Sequence, residues 1–176
     1  MTTTCRALIL ALAAAAAGCA TTTGTAPTET RAGFDGARVV DIAPHGAACT
    51  GMPCVSLGAQ WSSANAASAL LRVRLTGSAY TGIRRVELNI DGITRSLETS
   101  AGLTRFSSAV PPLRDSDQVF GVPLATVQAL ATARRAWVRV HTGEGYIDAA
   151  VIDGDADSKA VHALRRFLAQ QQGAAQ

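Results

Sequence analysis

Trp137, Arg139 and His141 alternate with apolar residues along one run, and Tyr146 and Asp148 do the same along the next, across Gly143-Glu144. If the two runs are strands of one hairpin, these five side chains share a face. Arg139 then opposes Asp148, His141 opposes Tyr146 and Trp137 opposes Ala150. On the other face Val140 meets Ile147, Val138 meets Ala149 and Ala136 meets Val151. Aromatic area beside hydrogen-bonding groups is what recognition surfaces use. His141 and Asp148, on a diagonal, could also act as an acid/base pair. Arg/Asp and aromatic/His pairs stabilise sheets without any ligand, and no nucleophile or oxyanion device accompanies them, so the face is a candidate for binding and no catalytic residue is assigned.

Dedicated catalytic signatures are absent from the sequence. It holds no Gly-x-Ser-x-Gly and no His-Glu-x-x-His, and the one lysine, Lys159, follows no glycine-rich loop. Gly143-Glu144-Gly145 opens like a dinucleotide fingerprint, but Asp148 stands where its last glycine belongs. Asp153-Gly154-Asp155-Ala156-Asp157 has the alternating carboxylates of a calcium loop, yet Ser158 and Leu164 occupy the positions that need Gly and Glu. An acidic turn leading into the amino end of a helix uses the same carboxylates through capping and the helix dipole. Calcium at 153–157 stays open, and no metal or cofactor is assigned.

The elements that must position these residues follow from periodicity. Leu71, Val73 and Leu75 alternate with Arg72 and Arg74 as in a half-buried strand. Val86–Ile90 and Ile93–Leu97 flank Asp91-Gly92, the strongest short hairpin signal. That turn puts Glu87 opposite Ser96 and Leu88 opposite Arg95, with Val86, Leu88, Ile90, Ile93 and Leu97 on the core face. Arg95 falls on this apolar side and is expected at the rim, with its head in water. Type II′ geometry is expected at Gly143-Glu144. Weaker strands are expected over 103–110, before Pro111-Pro112, and over 118–122. Leu124, Val127, Leu130 and Ala131 then have helical spacing after Pro123, and Val161, Leu164, Phe167 and Leu168 form the stripe of a last helix over 158–171. Arg134-Arg135 and Arg165-Arg166 are placed at the carboxyl ends of these helices. The resulting expectation is an α+β domain, an antiparallel β-sheet with two amphipathic helices, with a β-sandwich carrying peripheral helices as the alternative.

The chain has 176 residues, 48% hydrophobic and 16% charged, with a formal net charge of +3. Such a composition excludes a disordered or collagen-like protein. The small basic excess also excludes a strong phosphate-binding surface, so no nucleic-acid partner is expected.

At the amino end Arg6 precedes an apolar run from Leu8 to Ala17, about 15 Å of helix and half of what a bilayer core requires. A charge, a short apolar stretch and then small residues make a signal peptide. Ala16-Ala17-Gly18-Cys19 resembles the lipobox of bacterial lipoprotein precursors. That resemblance implies removal of residues 1–18, acyl chains including palmitate on Cys19, and anchoring in a membrane. Ala20, in place of the inner-membrane retention Asp, implies the outer membrane of a Gram-negative cell, with the domain in the periplasm. Residues 19–32, rich in Thr and without large apolar side chains, are expected to be a flexible tether with a reach of roughly 20 Å, followed by a single globular domain over 33–173. The domain itself resembles no family we can name.

In such an oxidising compartment Cys49 and Cys54 are expected to form a disulfide. A zinc site with His45 would be one ligand short, and a redox motif would have two intervening residues where this has four. The bridge is expected to pin a loose leading segment to the first strand.

Taken together these residues imply a lipid-anchored cell-envelope protein with a non-enzymatic role, contacting another envelope protein or stabilising an assembly. A periplasmic small-ligand or glycan-binding module is the alternative, and a hydrolase using His141 and Asp148 a minor one. A cleft lined by Trp137 and Tyr146 would favour the ligand, a flat face the protein partner.

Overall fold

A computed structural model describes residues 26–97 and 102–173. Residues 1–18, read as a signal peptide, together with Cys19 and the first part of the segment read as a tether, lie outside the described residues. Among those described, no helix is long and apolar enough to cross a membrane.

The strands are β1 (Thr28–Arg31), β2 (Arg38–Gly46), β3 (Cys54–Ser62), β4 (Ser68–Gly77), β5 (Arg85–Ile90), β6 (Ile93–Leu97), β7 (Arg105–Ser107), β8 (Arg114–Pro123), β9 (Arg135–His141), β10 (Tyr146–Asp153) and β11 (Ala156–Asp157). Helix α1 (Leu124–Thr132) lies between β8 and β9, and α2 (Lys159–Gly173) follows β11. The protein is thus mostly antiparallel β-sheet with two helices. The leading expectation has one sheet and the alternative two; there are two, ordered β1-β2-β3-β4-β8-β7 and β11-β10-β9-β5-β6.

Alternation explains the core. Val40 and Ile42 of β2, Val55, Leu57 and Trp61 of β3, Leu71, Val73 and Leu75 of β4, and Phe120 and Val122 of β8 all face inward and are buried. Val86 and Leu88 of β5, Val138 and Val140 of β9, and Val151 of β10 close the same core from the second sheet. Helix α2 packs on β2 and β3 and α1 on β4, β8 and α2. Val161, Leu164 and Phe167 of α2 are fully buried, each contributing about 2 kcal/mol. This helix is part of the core, unlike the peripheral helices of the sandwich alternative.

Sequence and structure differ at several places, each with a local cause. Strands β1 and β2 precede the first strand expected, and the segment read as tether enters the sheet at Thr28. The Cys49–Cys54 disulfide, with Cα atoms 5.3 Å apart, therefore closes the β2–β3 loop and does not pin a loose leading segment. Constraining so short a loop stabilises by about 2 kcal/mol in the chain-entropy account. That loop also joins the sheets, because the Ala48 N–H donates to the Ala150 carbonyl at 2.8 Å.

In the first hairpin the pairing of Leu88 with Arg95 and Glu87 with Ser96 is as expected. Asp91 (φ 49°) and Gly92 (φ 88°) both take left-handed conformations, the type I′ geometry that matches strand twist. Ile93, however, is 61% exposed, because β6 is an edge strand of which only Leu97 reaches the core. Arg95 on the same strand is exposed, as a rim position requires.

In the second hairpin the pairs from His141–Tyr146 to Trp137–Ala150 are as expected, but a bulge at Val151 then puts Ile152 opposite Ala136. Val151 stays fully buried. Its turn uses positive φ at Gly145, not at Gly143 as type II′ would need. The strand expected over 103–110 shortens to Arg105–Ser107, with Leu103 and Val110 exposed. Neither arginine pair sits in a last helical turn. Arg134 and Arg135 follow α1, and Arg165 lies mid-way along α2, where its Nε donates to the Ala131 carbonyl at 2.8 Å. A cation from α2 thus satisfies the end of α1. In the acidic turn, Asp153 pairs with Arg135 at 2.7 Å and Asp157 with His162 at 2.8 Å.

Candidate functional site

Strand β9 runs through the middle of the second sheet, flanked by β10 and β5. With Val138 and Val140 turned to the core, strand alternation sends Arg135, Trp137, Arg139 and His141 to the outer face. Strand β10 adds Tyr146 and Asp148, and β5 adds Glu87 and Asn89 opposite Arg139 and Trp137. All five expected residues reach this face, but they are not one constellation.

Trp137, Arg139 and Asp148 line a groove of about 1080 Å³, together with Glu87, Asn89, Asp91, Thr94, Arg134 and Arg135. Trp137 is 37% exposed within it. Tyr146 is 60% exposed and lines a separate hollow of about 310 Å³ beside Met52, Thr142 and Glu144. It stays connected to the groove through Arg139, whose guanidinium lies 4.2 Å from its ring centroid. His141 lines neither hollow.

The polar groups on this face are fixed by one another. Arg139 donates from Nε and Nη2 to the two oxygens of Asp148, both at 2.7 Å, the bidentate fork that carboxylates fit best. Those bonds hold the Asp148 carboxyl below the usual carboxylate range and raise the arginine further. His141 Nε2 is 2.9 Å from Glu87 Oε2, and its hydrogen bond pulls the Glu87 carboxyl down. Arg85 adds an ion pair to Glu87 at 3.2 Å. His141 therefore has Glu87 as its partner, and the diagonal acid/base pair with Asp148 is not formed. Asn89 Nδ2 donates to Thr94 Oγ1 at 3.2 Å, and its Oδ1 accepts from the Gly92 N–H at 3.1 Å.

The contributions of Glu87, Asn89, Asp91, Thr94 and Arg134 were missed from sequence. Glu87 and Asn89 already stood on the polar side of the first hairpin by alternation. What alternation could not supply was the pairing of β5 with β9, which unites the two hairpins. Among the described residues no cluster of three His, Cys, Asp or Glu side chains is placed to hold a metal ion.

Comparison with family models, with curated proteins and with solved structures returns no match in any of the three. Fold and groove by themselves define the class: an antiparallel β-rich domain with a groove, lined by Trp137 and mostly by polar residues, on the outer face of one sheet.

Proposed function

We propose that this is a lipid-anchored envelope protein that binds a polar, extended ligand, a glycan, in the groove of the second sheet. The observation that carries the reading is Trp137, exposed in a groove where Glu87, Asn89, Arg135, Arg139 and Asp148 are already held by side-chain partners. A pyranose ring has an apolar face that stacks on indole and hydroxyls that exchange hydrogen bonds with fixed side chains, so a pre-ordered groove of this kind binds without first ordering itself. The sequence criterion for a ligand is one cleft lined by both Trp137 and Tyr146; only Trp137 lines the groove, Tyr146 lining the neighbouring hollow, so the reading is supported by the Trp137 groove alone. The hydrolase reading needs His141 and Asp148 as a pair, whereas His141 is engaged by Glu87 and Asp148 by Arg139.

Trp61 is buried, so ligand-dependent changes in tryptophan emission report on Trp137. Titration with a soluble oligomer of N-acetylglucosamine is expected to give a saturable emission change. Trp137→Ala, with an unchanged thermal melt, should weaken binding measured by calorimetry at least about tenfold. Equal affinity in the variant overturns the groove as the site.

The anchor rests on Ala16-Ala17-Gly18-Cys19. Cys19→Ala is expected to abolish incorporation of labelled palmitate and to release the protein from the membrane fraction; undiminished labelling excludes Cys19 as the acceptor.

A further inference from the structure

We propose that the glycan taken by this groove carries a carboxylate, and that Arg134 reads it; the inference rests on the glycan reading above. The charged groups around the groove are, with one exception, already engaged. Arg139 is held by Asp148 and Arg135 by Asp153. Glu87 is held by His141 and Arg85. The Asp91 carboxylate spends Oδ1 on two main-chain donors, the N–H groups of Arg134 at 3.0 Å and Arg135 at 2.8 Å.

What remains is the guanidinium of Arg134, which lines the groove, is exposed, and has no side-chain partner among the described residues. Its main chain is fixed on both sides, since its N–H donates to Asp91 and its carbonyl accepts from the Gly154 N–H at 3.0 Å. The base of the side chain is therefore held while its planar fork of N–H donors stays open, the geometry that captures a carboxylate. Trp137 stands in the same groove, so one ligand can stack a ring on the indole while its acidic substituent meets Arg134.

The other charges set the density of negative charge the ligand can carry. Glu87, Asp91 and Asp148 line the groove against Arg134, Arg135 and Arg139, and with Arg135 and Arg139 engaged by their own carboxylates a polyanion would find one open cation. A sugar chain with separated single carboxylates needs no more than that. The ligand class is accordingly a sparsely acidic saccharide.

The test compares two probes of one length: a glycan strand alternating N-acetylglucosamine with N-acetylmuramic acid, and that strand after reduction of its lactyl carboxylates to alcohols. Calorimetry on the wild-type domain is expected to show the acidic strand binding at least about tenfold tighter. Arg134→Gln should bring the acidic strand to the affinity of the reduced one and leave the reduced strand within twofold of wild type. Equal wild-type affinity for both strands, or an unchanged preference in Arg134→Gln, overturns the carboxylate assignment and leaves glycan binding standing. Binding of neither strand overturns the glycan reading, and this one with it.

Discussion

Replacing Gly58 by alanine is expected to cost the domain roughly 3 kcal/mol, lowering its melting temperature by about 10 °C. A β-carbon there would stand 2.6 Å from the Ile42 carbonyl oxygen, 2.7 Å from the Pro44 nitrogen and 2.8 Å from the Ala43 carbonyl carbon. All three are backbone atoms, so no side chain can rotate away. They come so close because β2 bulges between Ile42 and His45 while paired with β3, and Pro44, which has no N–H for the ladder, lies within that irregularity. Added bulk must then push β2 off β3 or flatten the bulge, and Ile42, which is fully buried beside it, moves as well. Gly121→Ala is the matched control, since a β-carbon at that position meets nothing within 4 Å. Thermal unfolding followed by circular dichroism should separate the two variants clearly. A Gly58→Ala melt within about 2 °C of wild type would show that the bulge yields at little cost.

Arg38→Met should remove about 2 kcal/mol and loosen two ends of the chain together. The Arg38 guanidinium forms an ion pair with Glu29 of β1 at 2.9 Å and donates to the carbonyls of Gln170 and Gln171 near the end of α2. It lies 5.4 Å from the Trp61 ring. Gln170 also donates to Glu29 at 2.8 Å. Methionine keeps apolar contact with Trp61 but satisfies none of these oxygens. Amide exchange is expected to speed at least about tenfold in Thr28–Arg31 and in the last turn of α2, with β3 and β4 retaining protection. Uniform protection in the variant would remove the clamp from the account.

Acid should narrow the same difference, leaving the part due to the Gln170 and Gln171 carbonyls. The Arg38 guanidinium beside it, and then the hydrogen bond from Gln170, hold the Glu29 carboxyl below its ordinary value. A carboxyl lowered by folding stabilises fully above the unfolded value, near pH 4.3, and loses that contribution as pH falls through the lower folded one. The gap between wild type and Arg38→Met should be constant above about pH 5 and narrow below about pH 4.

These two residues also mark where sequence reasoning stopped. Asp91-Gly92 announced its hairpin because a two-residue turn with two positive φ values leaves few alternatives, and the register then sorted Glu87, Leu88 and Arg95 correctly. The hairpin over 135–153 was legible up to Ala150 because apolar and polar partners sort onto opposite faces in one register, although its turn is not the type expected. Val151 escaped because consecutive apolar residues there satisfy either register, and only packing chooses the bulge. Strand β1, Thr-Glu-Thr-Arg, has no apolar side chain to show a period and joins through its backbone and Arg38. Strand β2 did carry a signal, Val40 and Ile42, cut short by Pro44 and the bulge over Gly58. In the groove, Trp137, Arg139 and Asp148 were found by alternation alone. Glu87, Asn89 and Arg134 were not placed there, because the pairing of β5 with β9 joins strands far apart in sequence.

The Arg38 clamp has a mechanical consequence. If Cys19 carries the proposed lipid, a drag on the domain would enter the described fold at its first strand, an edge strand of four residues beginning at Thr28. Such a strand would peel from β2 one rung at a time. Glu29 sits on its second residue and is gripped by Arg38 and Gln170, so the load passes within one rung to β2 and to the end of α2. Freeing the first strand then means breaking the Glu29 contacts to Arg38 and Gln170 as well as its ladder with β2, and the groove, on the other sheet, stays outside the path of the force.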